Sequence, residues 1–273
     1  NISVYFNFLN NVIEGNSGGI EILNPNASIN ISGNTISSYF SINPLIEIGI
    51  ANGTQSKAIE IKNNTFFSFG EGQGLRLTKI KNANVHDNNI NLIGNASPVF
   101  SLRGIEINNC SGTKLKDNSI IGTSTLLSDK QVGIAINNSV NSVVRCNYLD
   151  QTSEAIQING SCYPTDLVAN QFRNHGIGLH YDNFGKSGPQ DWNGNYWDPA
   201  STCVDWQAKH DNISNPNFVL SSNFKVNDSN CPNCFPTNTS SIVPTWFFPN
   251  VLQTDKICSN IPDPPPSPDP IYD

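Results

Sequence analysis

One short pattern recurs along the chain: an apolar residue, two intervening residues, an asparagine, any residue, then a second apolar residue. It reads Phe8-x-x-Asn11-x-Ile13, Ile31-x-x-Asn34-x-Ile36, Ile61-x-x-Asn64-x-Phe66, Val85-x-x-Asn88-x-Ile90, Leu115-x-x-Asn118-x-Ile120, Val144-x-x-Asn147-x-Leu149, Leu167-x-x-Asn170-x-Phe172 and Trp192-x-x-Asn195-x-Trp197. The asparagines are separated by 23, 30, 24, 30, 29, 23 and 25 residues. A period near this length marks a stacked array, in which each repeat buries its apolar face only against its neighbours.

A second short strand follows each of the first seven asparagines: Ile20-Glu21-Ile22, Ile46-Glu47-Ile48, Leu75-Arg76-Leu77, Ile105-Glu106-Ile107, Ile134-Ala135-Ile136, Ile156-Gln157-Ile158 and Ile177-Gly178-Leu179. Each alternates as a strand with one buried face does, and no window sustains a helical period. Two or three strands of three to five residues per repeat are too short for propeller blades. They predict an all-β fold, a parallel β-helix of about eight coils in which each strand pairs with its equivalent one coil on. The asparagines are expected at the sharp bend, where Asn tolerates left-handed backbone, with their amides stacked as a hydrogen-bonded ladder. The flanking apolar residues then form internal rows, each burial contributing about 1.5–3 kcal/mol.

These motifs resemble the right-handed parallel β-helix superfamily, the group that includes the pectate lyases. The resemblance covers residues 1–200 and implies the fold. It does not select an activity, because the same coils serve lyases, hydrolases, phage tailspikes, adhesins and inert spacers. The stretch from Trp192 to Pro199 looks like the aromatic closing coil of such helices, with tryptophans over the open end of the core. Residues 201–259 lose the period. They carry two β-like runs, Asn217 to Leu220 and Phe224 to Val226, a Trp246-Phe247-Phe248 cluster and four cysteines, and they read as an irregular C-terminal cap. Residues 260–273 have the composition of an extended Pro-rich linker. An aromatic-ended β-helix, a cysteine-bearing tail and such a linker together are similar to exported surface proteins of Bacteroidota.

Only 14% of residues are charged and the net charge is −7, which argues against a nucleic-acid partner. No apolar run reaches the length that spans a bilayer. The chain starts at Asn1, contains no methionine and enters the repeat within ten residues, so it is read as a piece of a longer processed protein, with the remainder of that polypeptide or a surface assembly as its partner. Seven cysteines favour an oxidising, extracellular or cell-surface location. Cys203, Cys231, Cys234 and Cys258 are expected to form two disulfides rather than a zinc site. Cys110 and Cys162, two coils apart, lie beyond bridging distance of each other. Sequons at Asn26, Asn52, Asn95 and Asn159 arise readily by chance in so Asn- and Ser-rich a chain.

Two constellations could carry chemistry. The outward column Glu21, Glu47, Arg76, Glu106, Ala135, Gln157, Gly178 contains a Glu47–Arg76–Glu106 ladder, which as an active site would place acids and an arginine against a sugar. As a solvated face, its ion pairs are each worth under about 1 kcal/mol. Just before the asparagine column, Asp87 and Asp117, beside His86, Lys116 and Arg145, could hold calcium with a basic residue nearby. Calcium takes six or more oxygens, so turn aspartates held by basic neighbours is the preferred account. His175 and His180 flank the seventh second strand near Asp182, and His210 lies in the cap; their spacing does not make a zinc site. The expectation is therefore a non-enzymatic exported β-helix without cofactor or metal, acting in adhesion, scaffolding or contact with carbohydrate. The alternatives are a polysaccharide lyase or glycoside hydrolase, with calcium as its one candidate cofactor, and a subunit or passenger of a larger export assembly.

Overall fold

The computed structural model describes residues 5–15, 18–23, 25, 27–39, 43–50, 58–69, 72–94, 101–198, 203–211, 215–229, 231–239 and 246–258. Asn26, Asn52, Asn95 and the proline-rich segment lie outside these residues. The chain winds as a parallel β-solenoid of about eight turns with three faces. Face A stacks Tyr5–Leu9, Ser28–Ser32, Ile59–Lys62, Ala83–His86, Lys114–Lys116, Ser142–Arg145 and Thr165–Val168. Face B follows the asparagine bend and stacks Val12–Gly15, Thr35–Tyr39, Thr65–Phe69, Asn89–Ile93 and Ser119–Ile121. Face C stacks Ile20–Leu23, Pro44–Gly49, Gln73–Thr78, Leu102–Asn108 and Gln131–Asn137. In the sixth and seventh coils faces B and C run together in the continuous strands Tyr148–Ser161 and Gln171–Lys186.

The core is the set of inward rows that the repeat specifies. Phe8, Ile31, Ile61, Val85, Leu115, Val144 and Leu167 are register partners along face A. Ile36, Phe66, Ile90, Ile120, Leu149, Phe172 and Trp197 are buried along face B. Between the two runs the asparagine ladder: the Nδ2 of Asn11, Asn34, Asn64, Asn88, Asn118, Asn147 and Asn170 each donates to the Oδ1 of the next coil's asparagine at 2.9 Å. That same Oδ1 accepts the backbone N–H of the asparagine before it, at 2.9–3.2 Å. From the second coil on, Nδ2 also donates to a face A carbonyl of the preceding coil.

The left-handed backbone is one residue earlier than expected. Positive φ falls on Asn10, Gly33, Asn63, Asp87, Asp117, Cys146, Ala169 and Gly194, while the ladder asparagines stay out of that region. The preceding residue makes the corner, and this turns the asparagine side chain inward, where its amide reaches both neighbouring coils. A second bend, between faces C and A, has its own inward column of Ile80, Cys110, Ser139 and Cys162. Here Ser139 Oγ accepts from the Cys110 N–H at 2.9 Å and donates to the Ile107 carbonyl at 3.1 Å. The Cys110 and Cys162 thiols occupy equivalent places, unbridged and buried. Burial pushes the Cys110 thiol up to about 11 and raises that of Cys162, so both act as small polar core residues.

Parallel winding continues past residue 200, because Cys203–His210 pairs with the middle of Gln171–Lys186, from His175 to Tyr181. Three further strands, Gln190–Asp191, Phe224–Val226 and Phe247–Pro249, form a parallel sheet of their own. The expected strand from Asn217 to Leu220 is instead a short helix, Pro216–Leu220, because Asn215 caps it and Pro216 is preset for its first turn. Trp192 does not cover the core: it takes φ 51°, and its Nε1 donates to the Asn250 carbonyl at 3.0 Å. The covering residue is Trp246, fully buried against Tyr181, His210, Phe224 and Phe247.

The cysteine pairing also differs. Cys231 bonds Cys234, but Cys258 bonds Cys146, and Cys203 is unbridged. After Trp246 the tail runs back along the asparagine bend. The Lys256 N–H bonds the Trp192 carbonyl, its Nζ reaches Asn193 Oδ1, and Cys258 arrives over Ala169 beside Cys146. Cys203 sits on face C, away from that path.

Candidate functional site

The outward side of face C carries half of the ion pairs among the described residues. Backbone pairing places Glu21, Glu47, Arg76, Glu106, Ala135 and Gln157 in one column, as expected. Its seventh member is His180, not Gly178. Gly178 points inward, where a Cβ would lie 2.7 Å from Trp197 Nε1 and 2.6 Å from the Gln207 carbonyl oxygen. The signal for this was present: Asn147 and Asn170 are 23 residues apart, and the same step carries Gln157 to His180.

In the first half of the column Arg76 bridges two acids, with Nη1 3.3 Å from Glu47 Oε1 and Nε 3.1 Å from Glu106 Oε2. The other Glu106 oxygen meets Arg103 Nη1, and accepts from Asn137 Nδ2 at 3.2 Å. Glu106 is only 4% exposed. Arg103 was not singled out from sequence, since three residues separate it from Glu106 and simple alternation would put them on opposite sides. Gly104 breaks the alternation by turning inward, where a Cβ would stand 2.6 Å from the Gly133 carbonyl oxygen.

The second half of the face assembles a cluster around His180. Its Nδ1 lies 2.8 Å from Glu154 Oε2 and its Nε2 3.2 Å from Asp211 Oδ1. Lys209 Nζ lies 2.9 Å from the same Asp211 oxygen, and Gln157 Nε2 donates to Asp182 Oδ2 at 3.3 Å. Burial disfavours the charged imidazole, but Glu154 and Asp211 outweigh it and raise the pKa. Asp182 is raised by burial and by the facing Asp211 carboxyl. Asp211 is lowered despite its burial, by Lys209 and His180. Glu154 and Asp211 were missed from sequence; Asp211 follows Cys203–His210, beyond the point where the repeat can be counted.

Asp87 and Asp117 do occupy equivalent corners of adjacent coils, each with φ 55°. Basic neighbours hold both: His86 Nδ1 lies 2.6 Å from Asp87 Oδ2, and Lys116 Nζ 4.0 Å from Asp117 Oδ2. His86 also reaches Glu60 at 3.0 Å, and hydrogen bonds from His86 and then Lys62 lower the Glu60 pKa. The third corner belongs to Cys146, which is in a disulfide, and Arg145 is in register with Lys116. Only two carboxylate-bearing corners are therefore stacked there, between Asn63 and Cys146.

His175 is a different kind of buried group. It is fully enclosed, edge-on to Phe172, and neither ring nitrogen has a hydrogen-bond partner among the described residues. Burial lowers its pKa from 6.5 to about 4. Because the unfolded chain then binds the extra proton between these values, stability is full above pH 6.5 and falls as pH drops toward 4. The loss expected from this one residue, whose pKa shifts from 6.5 to about 4, is about 3 kcal/mol. Thermal melts of the wild type and His175→Phe between pH 7 and 4 check it, the variant losing less stability on acidification. Parallel curves for the two proteins would contradict it.

Among the described residues no helix is long and apolar enough to cross a membrane. No protein-family model, curated protein or solved structure matches this chain, so its functional reading rests on its own geometry.

Proposed function

We propose that this chain is a non-enzymatic, exported β-helix that serves as a rigid element of a cell-surface or filamentous protein, with face C as a polar wall for adhesion, scaffolding or glycan contact. The observation that carries this reading is the state of the acids on that wall. Glu106 has one oxygen on Arg76 and the other on Arg103, and Glu47 is tied to Arg76. Carboxylates committed to arginines in this way stiffen a surface, and they leave neither Glu47 nor Glu106 unengaged to act as acid or base across a glycosidic bond. The pectate-lyase-like relationship and the Bacteroidota-like export route belong to the same proposal; the closed aromatic end and the disulfide-bearing tail support them.

The test is incubation of the chain, with calcium, against pectin, alginate, chondroitin and neutral glycans. Binding without turnover is the expected result. Turnover that Arg76→Ala or Asp117→Ala abolishes would overturn it in favour of the lyase or hydrolase reading.

A further inference from the structure

We propose that His180, Asp182 and Asp211 form a binding site for a divalent transition cation of the zinc type, which clips the seventh coil to the eighth on face C. One ligand atom from each of the three residues lies within 4.8 Å of the other two. Two of the donors are closer than that: His180 Nε2 stands 3.2 Å from Asp211 Oδ1. Two ligands in a tetrahedral zinc site, bonded at about 2.0–2.2 Å, are separated by roughly 3.3–3.6 Å, so this pair stands close to the spacing of co-ligands.

The orientation of the imidazole is the independent observation. His180 is only 5% exposed, yet its Nε2 makes no aligned hydrogen bond, although a carboxylate oxygen is close by. A ring nitrogen that lies beside an acceptor without pointing at it is arranged to share a third atom with it. The opposite ring nitrogen is fixed: Nδ1 lies 2.8 Å from Glu154 Oε2. A carboxylate on the far nitrogen sets the tautomer that leaves Nε2 with its lone pair, the arrangement that orients metal-binding histidines. Asp182 is held in turn by Gln157 Nε2.

The backbone brings these donors together by stacking. Tyr181 and His210 are register partners, and the Asp211 N–H continues the ladder to the Tyr181 carbonyl at 2.9 Å, so Asp182 and Asp211 are next in step, one coil apart. His180 is two residues before Asp211's partner position, on the same outward side as Asp182. One imidazole nitrogen with two carboxylates suits zinc and its neighbours; calcium would prefer an all-oxygen set of six or more. Lys209, 2.9 Å from Asp211 Oδ1, competes with the cation and must swing aside. The site does not depend on whether face C contacts glycans.

The experiment is calorimetric titration of the whole, disulfide-intact chain with zinc chloride at pH 7.5 after chelator treatment, with melting curves in parallel. One equivalent is expected to bind and to raise the Tm, as any ligand specific to the folded state must. Asp211→Asn, at an exposed position, is expected to weaken binding at least tenfold with an unchanged metal-free melt, and Lys209→Gln to tighten it. His180→Gln, its fold checked by circular dichroism, is expected to abolish it. Absence of binding in the wild type, full binding in Asp211→Asn and His180→Gln, or weaker binding in Lys209→Gln would each overturn the site. So would calcium binding as tightly as zinc.

Discussion

Asn118→Leu is expected to lower the stability of the chain by about 3–5 kcal/mol. Asn118 is 1% exposed and makes four contacts that leucine cannot replace. Its Oδ1 accepts from both the N–H and the Nδ2 of Asn88, and its Nδ2 donates to the Val85 carbonyl and to Asn147 Oδ1. Leucine leaves the Asn88 N–H without its partner in a place water does not reach, and buried orphaned groups cost about 1–3 kcal/mol each. Asp is the informative companion: it keeps the acceptor and loses the donor, so Asn118→Asp is expected to retain the Asn88 contacts while setting a carboxylate against Val85 and Asn147 oxygens. Denaturant unfolding of both variants checks this. A midpoint within the range of a surface substitution for Asn118→Leu would mean that the stacked amides contribute nothing net to the fold.

The second large effect concerns the Cys146–Cys258 disulfide, which closes a loop across a sequence separation of 112 residues. On the chain-entropy account a bridge of that span stabilises by about 4–5 kcal/mol, far more than the three-residue Cys231–Cys234 link. Replacing both Cys146 and Cys258 by serine is therefore expected to lower the Tm by roughly 10 °C or more, taking 2–4 °C per kcal/mol for a chain of this size. Proteolysis should cut first in the released tail, which is then held by hydrogen bonds alone, from Lys256 to Trp192 and Asn193 and from Asn227 to Asp255 and Gln253. Peptide mapping of the unreduced protein tests the connectivity directly: Cys146 should be found with Cys258, Cys231 with Cys234, and Cys203 should be open to alkylation after unfolding. A Cys203–Cys258 peptide would contradict the path of the tail. Burial, then the neighbouring Asp205, raises the Cys203 thiol to about 11, so it stays protonated at neutral pH.

The repeat alone determines a great deal in a fold of this kind. Each coil rises by the same strand spacing, so a residue's neighbours are its equivalents one period away, and counting asparagines is enough to stack them. That is why the solenoid, the amide ladder, the inward rows through Ile61, Val85 and Leu115, and the Glu47–Arg76–Glu106 ion pairs were all legible in the sequence. Reading failed where the step changes. The seventh face C strand is expected on Gly178 but lies two residues later, on His180, because Gln171–Lys186 runs through the bend as one strand and its register follows the 23-residue asparagine step rather than the local alternation. The corner fell on the residue before each asparagine because a side chain can serve the ladder only if its own backbone is not the part that reverses.

Tertiary structure alone decided the rest. Arg103 joins Glu106 only because Gly104 folds inward, and Asp211 joins His180 and Asp182 only because Cys203–His210 resumes the winding after the period has lapsed. The tail passes over Cys146 rather than Cys203 because Trp246 and Phe247 close the core first and leave the chain on the asparagine side. Periodic contacts are written locally and repeat, so a sequence displays them. Contacts made by bulges, by a coil of irregular length or by a returning tail depend on where the whole solenoid has carried the chain, and no spacing along it records that.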